Sequence, residues 1–226
     1  MTQRSVPSAL QAFAKAGQRL PSRHGLSREE VESSQRARIL VAFLETTAEK
    51  GYASVTIGDI VERASTSREA FYRQFATKQA CFLAAFREGA EVPLSQVTGP
   101  LREVPYTDWR TGLRVTIRAY LKLLASQPKA TWTFLIEALA AGPEVAALNS
   151  RYAARIAELY RLTYNGVVRR EDPSRPELED EAFDLLVGGM ADRIRNCLYA
   201  KGAEAIPELE PLFITTVLVL FGEKAD

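Results

Sequence analysis

The sequence predicts an all-α fold, with a three-helix helix-turn-helix unit near the N-terminus and a larger helical domain after it. Apolar residues recur at intervals of three and four through every long segment, which is the period of a helix with one buried face. No segment alternates apolar and polar residues as a strand does, and no glycine-rich phosphate loop appears. We therefore divide the chain into residues 1–26, 27–80 and 81–226.

Composition and residue counts argue against several classes of function. The chain is 46% hydrophobic and 25% charged, as ordinary globular proteins are. A single histidine, His24, argues against a zinc site or a Ser-His-Asp triad. Cys81 and Cys197 lie far apart without a CxxC partner and are predicted to be buried free thiols. We predict no enzyme activity, no metal and no cofactor.

The chain also lacks the signals of a membrane or secreted protein. The longest strongly apolar run, residues 213–221, is too short to span a bilayer. The N-terminus has no unbroken apolar stretch followed by a cleavage site. We therefore expect a cytoplasmic protein with no membrane partner.

Residues 1–26 carry basic side chains and no acidic ones, interrupted by prolines and glycines. This composition predicts a disordered basic arm. The arm either lies along DNA phosphates or in a minor groove, or is a solvated tail without defined contacts. Residues 1–90 hold 13 basic and 9 acidic residues, against 16 and 19 in residues 91–226, a weak indication of a polyanionic partner.

Capping signals mark the helices of residues 27–80. The residues predicted to cap successive helices are Ser27, Thr56, Ser67 and Thr77. Glu30 and Asp59 stand three residues after the first two caps, where each completes a reciprocal capping box. Gly51 follows the first helix and supplies its left-handed end.

The remaining helices are placed by periodicity and by proline and glycine. We predict them at residues 77–92, 108–126, 128–141, 143–170, 178–200 and 207–221. The first of these is expected to end before Pro93.

The helix predicted after Ser67 has one buried and one outward side. Phe71 and Phe75, one turn apart, predict its packing against the two preceding helices. Arg68 and Tyr72 share the opposite side. A short polar helix held in this way is typical of a helix-turn-helix, whose second helix enters the major groove of DNA. Arg68 is the best base-reading candidate, because a guanidinium can pair with both guanine acceptors.

A set of polar side chains around this helix is predicted to contact bases or phosphates. They are Thr56, Ser67, Arg68, Glu69, Tyr72, Arg73, Gln74 and Lys78. Thr56, besides being a cap, and Lys78 bracket the unit and are expected to hold phosphates. Arg73 reaches a phosphate unless Glu69, four residues before it, holds it in a surface pair. Glu69 alternatively accepts from a cytosine amino group.

The run T-I-x-D-I-V-x-x-A…S-R-x-A-F-Y-R-x-F-x-x-K, preceded by E-K-G-Y, resembles the DNA-binding domain of the TetR (tetracycline repressor) family. The resemblance covers residues 35–82. Ser65 stands where this family commonly has glycine, and Glu69 where it often has a small residue. We expect Ser65 to cost stability, since glycine relieves left-handed backbone strain, and Glu69 to prevent transfer of an operator sequence from the family.

The resemblance implies a ligand-responsive transcriptional repressor that leaves a palindromic operator when a small molecule binds. It also implies a homodimer whose last two helices form a four-helix interface. The apolar residues there that favour such an interface are Leu185, Leu186, Gly189, Met190, Phe213, Val217, Leu218, Leu220 and Phe221. Packing within one subunit is the alternative for these residues.

Aromatic residues scattered over the later helices indicate a mostly apolar effector pocket. They are Phe82, Phe86, Trp109, Tyr120, Trp132, Phe134, Tyr152, Tyr160 and Tyr164. Each is alternatively a core residue. Glu137 lies in an apolar helix and is either a polar anchor or an exposed position. The rival functions are a helical enzyme that uses the cavity and a dimeric interaction protein whose helix-turn-helix no longer binds DNA.

Overall fold

A computed structural model describes residues 27–98 and 109–223 of the chain, and these residues are helical with no strand. The helices before residue 99 are α1 (Arg28–Lys50), α2 (Ile57–Arg63), α3 (Arg68–Gln74) and α4 (Lys78–Thr98). Those after residue 108 are α5 (Trp109–Ser126), α6 (Pro128–Leu135), α7 (Pro143–Thr163), α8 (Asp180–Lys201) and α9 (Glu210–Leu220). The all-α prediction is confirmed. The predicted basic arm, residues 1–26, lies outside the described residues.

The predicted caps at the first helices are confirmed. The Ser27 hydroxyl accepts from the Glu30 amide at 3.2 Å, and the Glu30 carboxylate accepts from the Ser27 amide at 2.8 Å. α1 ends at Gly51, whose φ of 77° lies in the left-handed region open to glycine. These contacts satisfy backbone groups that the end of a helix leaves without partners.

Three helix boundaries differ from the prediction. α4 passes through Pro93 to Thr98, because a proline removes one hydrogen bond and can bend a helix without ending it. The helix predicted at residues 128–141 stops at Leu135 and tightens into the 3-10 turn Glu137–Ala140. The long helix after residue 143 includes the π-helical turn Tyr164–Val168, followed by the short helix Arg169–Glu171.

The described chain forms two compact units. The first contains residues up to Val92 together with Trp132–Ala146, and the second contains Pro93–Thr131 and residues from Ala147 onward. The domain boundary that we predict near residue 80 stays a prediction.

Aromatic side chains form much of the core of the first unit. Phe43 and Phe82 meet edge to face with their ring centroids 5.4 Å apart. Phe134 packs on Phe86 at 5.2 Å, and Gly89 leaves the room, since a β-carbon there would lie 2.7 Å from the Phe134 ring. Residues distant in sequence are therefore needed to complete this core.

A separate aromatic cluster holds the second unit. The Tyr164 ring lies 5.0 Å from Phe221 and its hydroxyl donates to the Pro176 carbonyl at 2.7 Å. Trp109 packs on the other side at 5.6 Å from Phe221. Arg175 donates to the Phe221 carbonyl and, at 2.6 Å, to the Glu223 carboxylate. The end of α9 is thereby fixed to the π-helical turn and to α5.

The turn between α2 and α3 depends on a left-handed residue that is not glycine. Ser65 has φ of 48°. Its amide donates to the Glu62 carbonyl at 3.0 Å, and the Thr66 amide donates to the Val61 carbonyl at 2.9 Å, the pair of bonds of a Schellman motif. From α1, Arg38 donates to the Ala64 carbonyl at 3.1 Å. The left-handed conformation is thus held from two sides despite its strain.

Replacing Ser65 by glycine is expected to raise the free energy of unfolding by about 0.5–1 kcal/mol. A left-handed residue with a β-carbon costs roughly 1–2 kcal/mol, which glycine avoids. Part of this stabilisation is lost again, because glycine has a larger conformational entropy in the unfolded state. Urea unfolding of the wild type, Ser65→Gly and Ser65→Ala measures the effect. The alanine variant keeps the β-carbon and should show no gain; a glycine variant less stable than the wild type would contradict the argument.

Candidate nucleic-acid interface

α3 presents one face to the core and one to the surface, as predicted. Ala70 and Phe71 are buried, and the Phe71 and Phe75 rings pack with centroids 5.6 Å apart. Arg68 and Tyr72 are exposed on the opposite side. A helix of seven residues has its orientation set by such packing rather than by its own propensity.

Arg68 is available to a partner. Among the described residues no carboxylate pairs with it, and its side chain is exposed. Its guanidinium leans toward the start of α2, where a β-carbon on Gly58 would lie 3.3 Å from Nη2. The charge at the N-terminus of α3 is therefore uncompensated by an ion pair.

Arg73 is engaged, in contrast to Arg68. Its guanidinium lies 3.6 Å from the Glu69 carboxylate and donates to the Gln35 side-chain oxygen at 3.3 Å. Glu69 itself keeps 88% of its side chain exposed. The structure thus contains the Glu69–Arg73 pair that the sequence left open, and the contact of either residue with DNA stays a prediction.

Thr56 is a cap whose hydroxyl is fully used. It accepts from the Asp59 amide at 3.2 Å and donates to the Asp59 carboxylate at 2.8 Å. The same carboxylate accepts from the Thr56 amide at 2.8 Å and from Lys50 at 2.6 Å. Together these bonds hold the pKa of Asp59 well below its usual value of 3.8. The hydrogen bond from Lys50 contributes most to this lowering, and the bonds from Thr56 follow.

Lys78 lies at the start of α4 with its ammonium turned toward the residues between α1 and α2. Nζ donates to the carbonyls of Tyr52 at 2.6 Å and Val55 at 2.8 Å, and lies 4.3 Å from the centre of the Tyr52 ring. Burial lowers the pKa of Lys78. Two of its three N–H donors therefore serve the protein, so a phosphate would be met by the third.

The other predicted residues lie on or beside α3. The Ser67 hydroxyl accepts from the Ala70 amide at 3.1 Å and is a helix cap. Tyr72 has 55% of its surface exposed, with its ring against the edge of Phe71. Gln74 is half-buried at the last position of the helix. All eight predicted residues thus lie within the segment from the α2 cap to the start of α4.

Two structurally important residues around this site, Arg38 and Lys50, are not predicted from the sequence, and Glu137 proves to be the polar anchor of its two alternatives. Arg38 supports the Ser65 turn, Lys50 pairs with Asp59, and the Glu137 carboxylate accepts from the Tyr52 amide at 2.7 Å. No local pattern reveals these contacts, because the partners are 9 to 85 residues apart.

The predicted aromatic pocket residues separate into different environments. Phe82, Phe86, Trp132 and Phe134 belong to the first unit, and Trp109 and Tyr164 to the aromatic core of the second. The remaining three are Tyr120 on α5 and Tyr152 and Tyr160 on α7. Burial raises the pKa of all three hydroxyls, that of Tyr152 to about 12, although each side chain keeps some accessible surface. They are the aromatic residues still suited to line a cavity.

At four positions in the last two helices the structure favours the alternative of packing within one subunit. Leu186, Phe213, Val217 and Phe221 are buried inside the second unit, so they belong to its core. α9 is apolar on nearly all sides, and such a pattern does not reveal which face turns inward. An outward face remains on both helices, and its large apolar members are Leu185, Tyr199, Leu212 and Val219.

The described residues contain no group of three or more histidine, cysteine or acidic residues that could hold a metal ion. His24 lies outside them. Cys81 and Cys197 are buried free thiols, as predicted. No helix in the described part of the chain is long and apolar enough to cross a membrane.

Comparison with known proteins agrees with this geometry. Residues 39–85 match the sequence model of the "Bacterial regulatory proteins, tetR family". The HTH-type transcriptional activator FasR of Mycolicibacterium smegmatis is 28% identical over 90 residues, which are 40% of this chain and 40% of that protein. The chain thus spans about two fifths of the length of the curated relative it matches.

Two solved structures share the fold over most of the chain. The fatty acid degradation regulator FadR from Bacillus halodurans superposes with a TM-score of 0.68 at 17% identity, covering 81% of this chain and 94% of that one. FadR from Bacillus subtilis, in complex with stearoyl-CoA, gives a TM-score of 0.67 at 14% identity, covering 80% and 96%. At these identities the likeness concerns the fold.

Replacing Asp59 by asparagine is expected to lower the unfolding temperature at pH 7 and to have less effect as the pH falls. A carboxyl whose pKa is lower in the folded state stabilises the protein above its usual pKa of 3.8, and this stabilisation is lost as the pH falls below that value. Thermal unfolding between pH 7 and pH 3 compares the two proteins. Glu62→Gln, an exposed carboxylate on the same helix, is the control and should show no such pH-dependent difference.

Proposed function

We propose that this chain, whose residues 39–85 match the tetR family of bacterial regulatory proteins, is a homodimeric, ligand-responsive transcriptional repressor that binds a palindromic operator. The observation that carries the proposal is the outward face of α3. Within the matched residues 39–85, Phe71 fixes this helix to the core, and Arg68 and Tyr72 point outward. The arginine has no ion-pair partner among residues 27–98 and 109–223. A helix presented in this way fits a DNA major groove.

In the proposed complex α3 enters the major groove, and its neighbours hold the backbone. Arg68 reads guanine, with Tyr72 beside it offering its ring to a thymine methyl or its hydroxyl to a phosphate. Ser67, Arg73, Gln74 and Lys78 face phosphates, and Thr56 does so by giving up the bond of its hydroxyl to the Asp59 carboxylate. The third N–H of Lys78 is the donor for such a contact, and Glu69 either stays paired with Arg73 or accepts from cytosine. Because its proposed target is operator DNA, we propose that the protein acts in the cytoplasm.

The homodimer rests on the outward faces of α8 and α9. Leu185 is 76% exposed, and Leu212 and Val219 on α9 are also outside the core. Gly188 and Gly189 lie on the same face of α8, with no atoms near the place of a β-carbon, so two backbones can approach closely there. A second copy covering this face would place two copies of α3 on one operator, about 34–36 Å apart.

The proposed effector site contains three half-buried tyrosines of the second unit. Tyr120, Tyr152 and Tyr160 offer hydroxyl groups in apolar surroundings, which suits a mostly apolar molecule with a few hydrogen-bonding groups. The Tyr160 hydroxyl donates to the Met190 sulfur at 3.9 Å, and it also interacts electrostatically with Tyr120. A ligand that favours one state of the dimer would shift its affinity for DNA in proportion to that preference.

The proposal concerns a repressor, although the relative from Mycolicibacterium smegmatis is named an activator. DNA binding through α3 serves either role, and the position of the operator relative to the promoter decides between them. The described residues hold no metal-binding cluster, and we propose no catalytic reaction.

Selection from a pool of random DNA duplexes is expected to enrich a palindrome whose half-sites are about 10 base pairs apart, centre to centre. Arg68→Ala should lose about 1–3 kcal/mol of discrimination at one base pair of each half-site. The selection is performed at low and physiological salt, because phosphate contacts weaken with salt. Absence of any enriched sequence at either salt would favour an interaction protein that no longer binds DNA.

Arg87→Ala is the matched control for Arg68→Ala. Arg87 is an exposed arginine on α4, outside the predicted contact set, and its loss removes the same charge. It should leave the selected sequence unchanged. Equal effects of the two substitutions would show that Arg68 contributes charge rather than base reading.

Stearoyl-CoA is the first effector to test, because a protein of the same fold binds it. It is expected to release the protein from the selected operator in a fluorescence anisotropy titration. Tyr120→Phe and Tyr160→Phe, which remove one hydroxyl each, should weaken this effect about three- to tenfold. Tyr164→Phe, whose hydroxyl donates to the Pro176 carbonyl in the core of the second unit, should not. Release by stearoyl-CoA that is indifferent to both buried substitutions would place the ligand elsewhere.

A further inference from the structure

Residues 132–146 pack into the unit that contains the predicted DNA-binding helices, although they lie far along the chain from them. The buried Thr133 hydroxyl donates to the Leu44 carbonyl of α1 at 3.1 Å. The Gln79 side chain of α4 donates to the Ala141 carbonyl at 3.2 Å. The chain on both sides of this segment, at Thr131 and Ala147, belongs to the second unit. We call residues 132–146 the inserted segment.

One carboxylate of the inserted segment reaches the backbone between α1 and α2. Glu137 accepts from the Tyr52 amide through Oε2 at 2.7 Å and from the Trp132 indole through Oε1 at 3.2 Å. Its carboxylate oxygens also lie 3.6 and 3.9 Å from the place of a β-carbon on Gly51. Hydrogen bonds to a charged acceptor are stronger than neutral ones, so this contact holds Tyr52 firmly.

Tyr52 connects this carboxylate to the predicted DNA-binding residues. Its amide binds Glu137, while its carbonyl accepts from Lys78, which also binds the Val55 carbonyl. Thr56 follows Val55 and caps α2. The short segment of residues 51–55 is therefore fixed at one end by the inserted segment and leads directly into the helix-turn-helix.

We propose that Glu137 is a positioning residue for DNA binding, which sets the placement of Thr56 and Lys78 through the Tyr52 amide. This inference rests on the proposed function and assigns a residue through which DNA affinity is regulated. While Glu137 accepts both hydrogen bonds, residues 51–55 keep one conformation. When the inserted segment shifts, the Tyr52 amide loses its acceptor and the two phosphate-binding groups are no longer preorganised.

The charge of Glu137 makes the expected change in operator affinity distinctive. Removing a carboxylate from a protein that binds DNA reduces repulsion of the phosphates and, on that ground alone, favours binding. The proposal gives the opposite sign for Glu137. Glu144, an exposed carboxylate of the same segment, is the matched control, because its neutralisation changes the charge equally without touching Tyr52.

The experiment uses full-length Glu137→Ala, Glu137→Gln and Glu144→Gln on the operator selected with the wild type. Glu137→Ala is expected to lower operator affinity about fivefold or more, within the range of allosteric coupling. Hydrogen exchange at the Tyr52 amide should accelerate about tenfold, as expected for loss of a hydrogen bond to a charged group. Glu137→Gln should fall between Glu137→Ala and the wild type, since its amide oxygen replaces one acceptor. Glu144→Gln should leave affinity unchanged or slightly higher.

The outcomes separate this inference from the proposed function. If the wild type binds no operator, the proposed function fails and the inference falls with it. If the wild type binds and Glu137→Ala loses Tyr52 protection without losing affinity, the contact is structural only and the inference alone is overturned. An equal loss in Glu144→Gln would also overturn it. Should Glu137→Ala unfold, the same comparison is made with Glu137→Gln. An operator affinity equal to that of the wild type would then overturn the inference.

Discussion

The surface predicted to read DNA is built on two helices of seven residues each, a length at which a helix is not stable in water by itself. Their shape therefore depends on burial of Phe71 and Phe75 beneath α3. Arg36 covers the Phe75 ring at 4.6 Å and pairs with Glu88 of α4 at 2.6 Å, which joins α1, α3 and α4 around one aromatic side chain. The polar face of α3 owes its fixed direction to this packing.

The residues between α1 and α2 show how side chains from elsewhere in the chain can satisfy the backbone groups of a loop. Backbone groups in a loop need partners, and here side chains from elsewhere supply them. Lys78 takes the carbonyls of Tyr52 and Val55, and Glu137 takes the Tyr52 amide. A cation thus binds the carbonyls of this segment, and an anion binds one of its amides. The position of α2 is consequently set by residues outside α2.

Interactions between residues close in sequence could be predicted, and contacts between distant segments could not. The caps at Ser27 and Thr56 follow from residues within four positions, because capping is a local interaction. The partners of Glu137 depend on how distant segments pack, and no periodicity records that. The pattern leaves Val217 open between an interface and the core of its own unit, since an apolar helix without a polar side does not show which face turns inward; in the structure Val217 is fully buried.

The two arginines of α3, five residues apart, illustrate why the same residue type can have different roles in one helix. Arg73 is balanced by Glu69 and Gln35, and an exposed pair of this kind is worth only about 0–1 kcal/mol, so DNA phosphate can replace it at little cost. Arg68 gives up no ion pair among the described residues when it binds a base. Glu69 meanwhile places a negative charge on the same face, which disfavours DNA wherever no cytosine amino group or arginine compensates it. In the proposed complex, discrimination between sequences would therefore rest on Arg68 and Glu69, and Arg73 would contribute affinity.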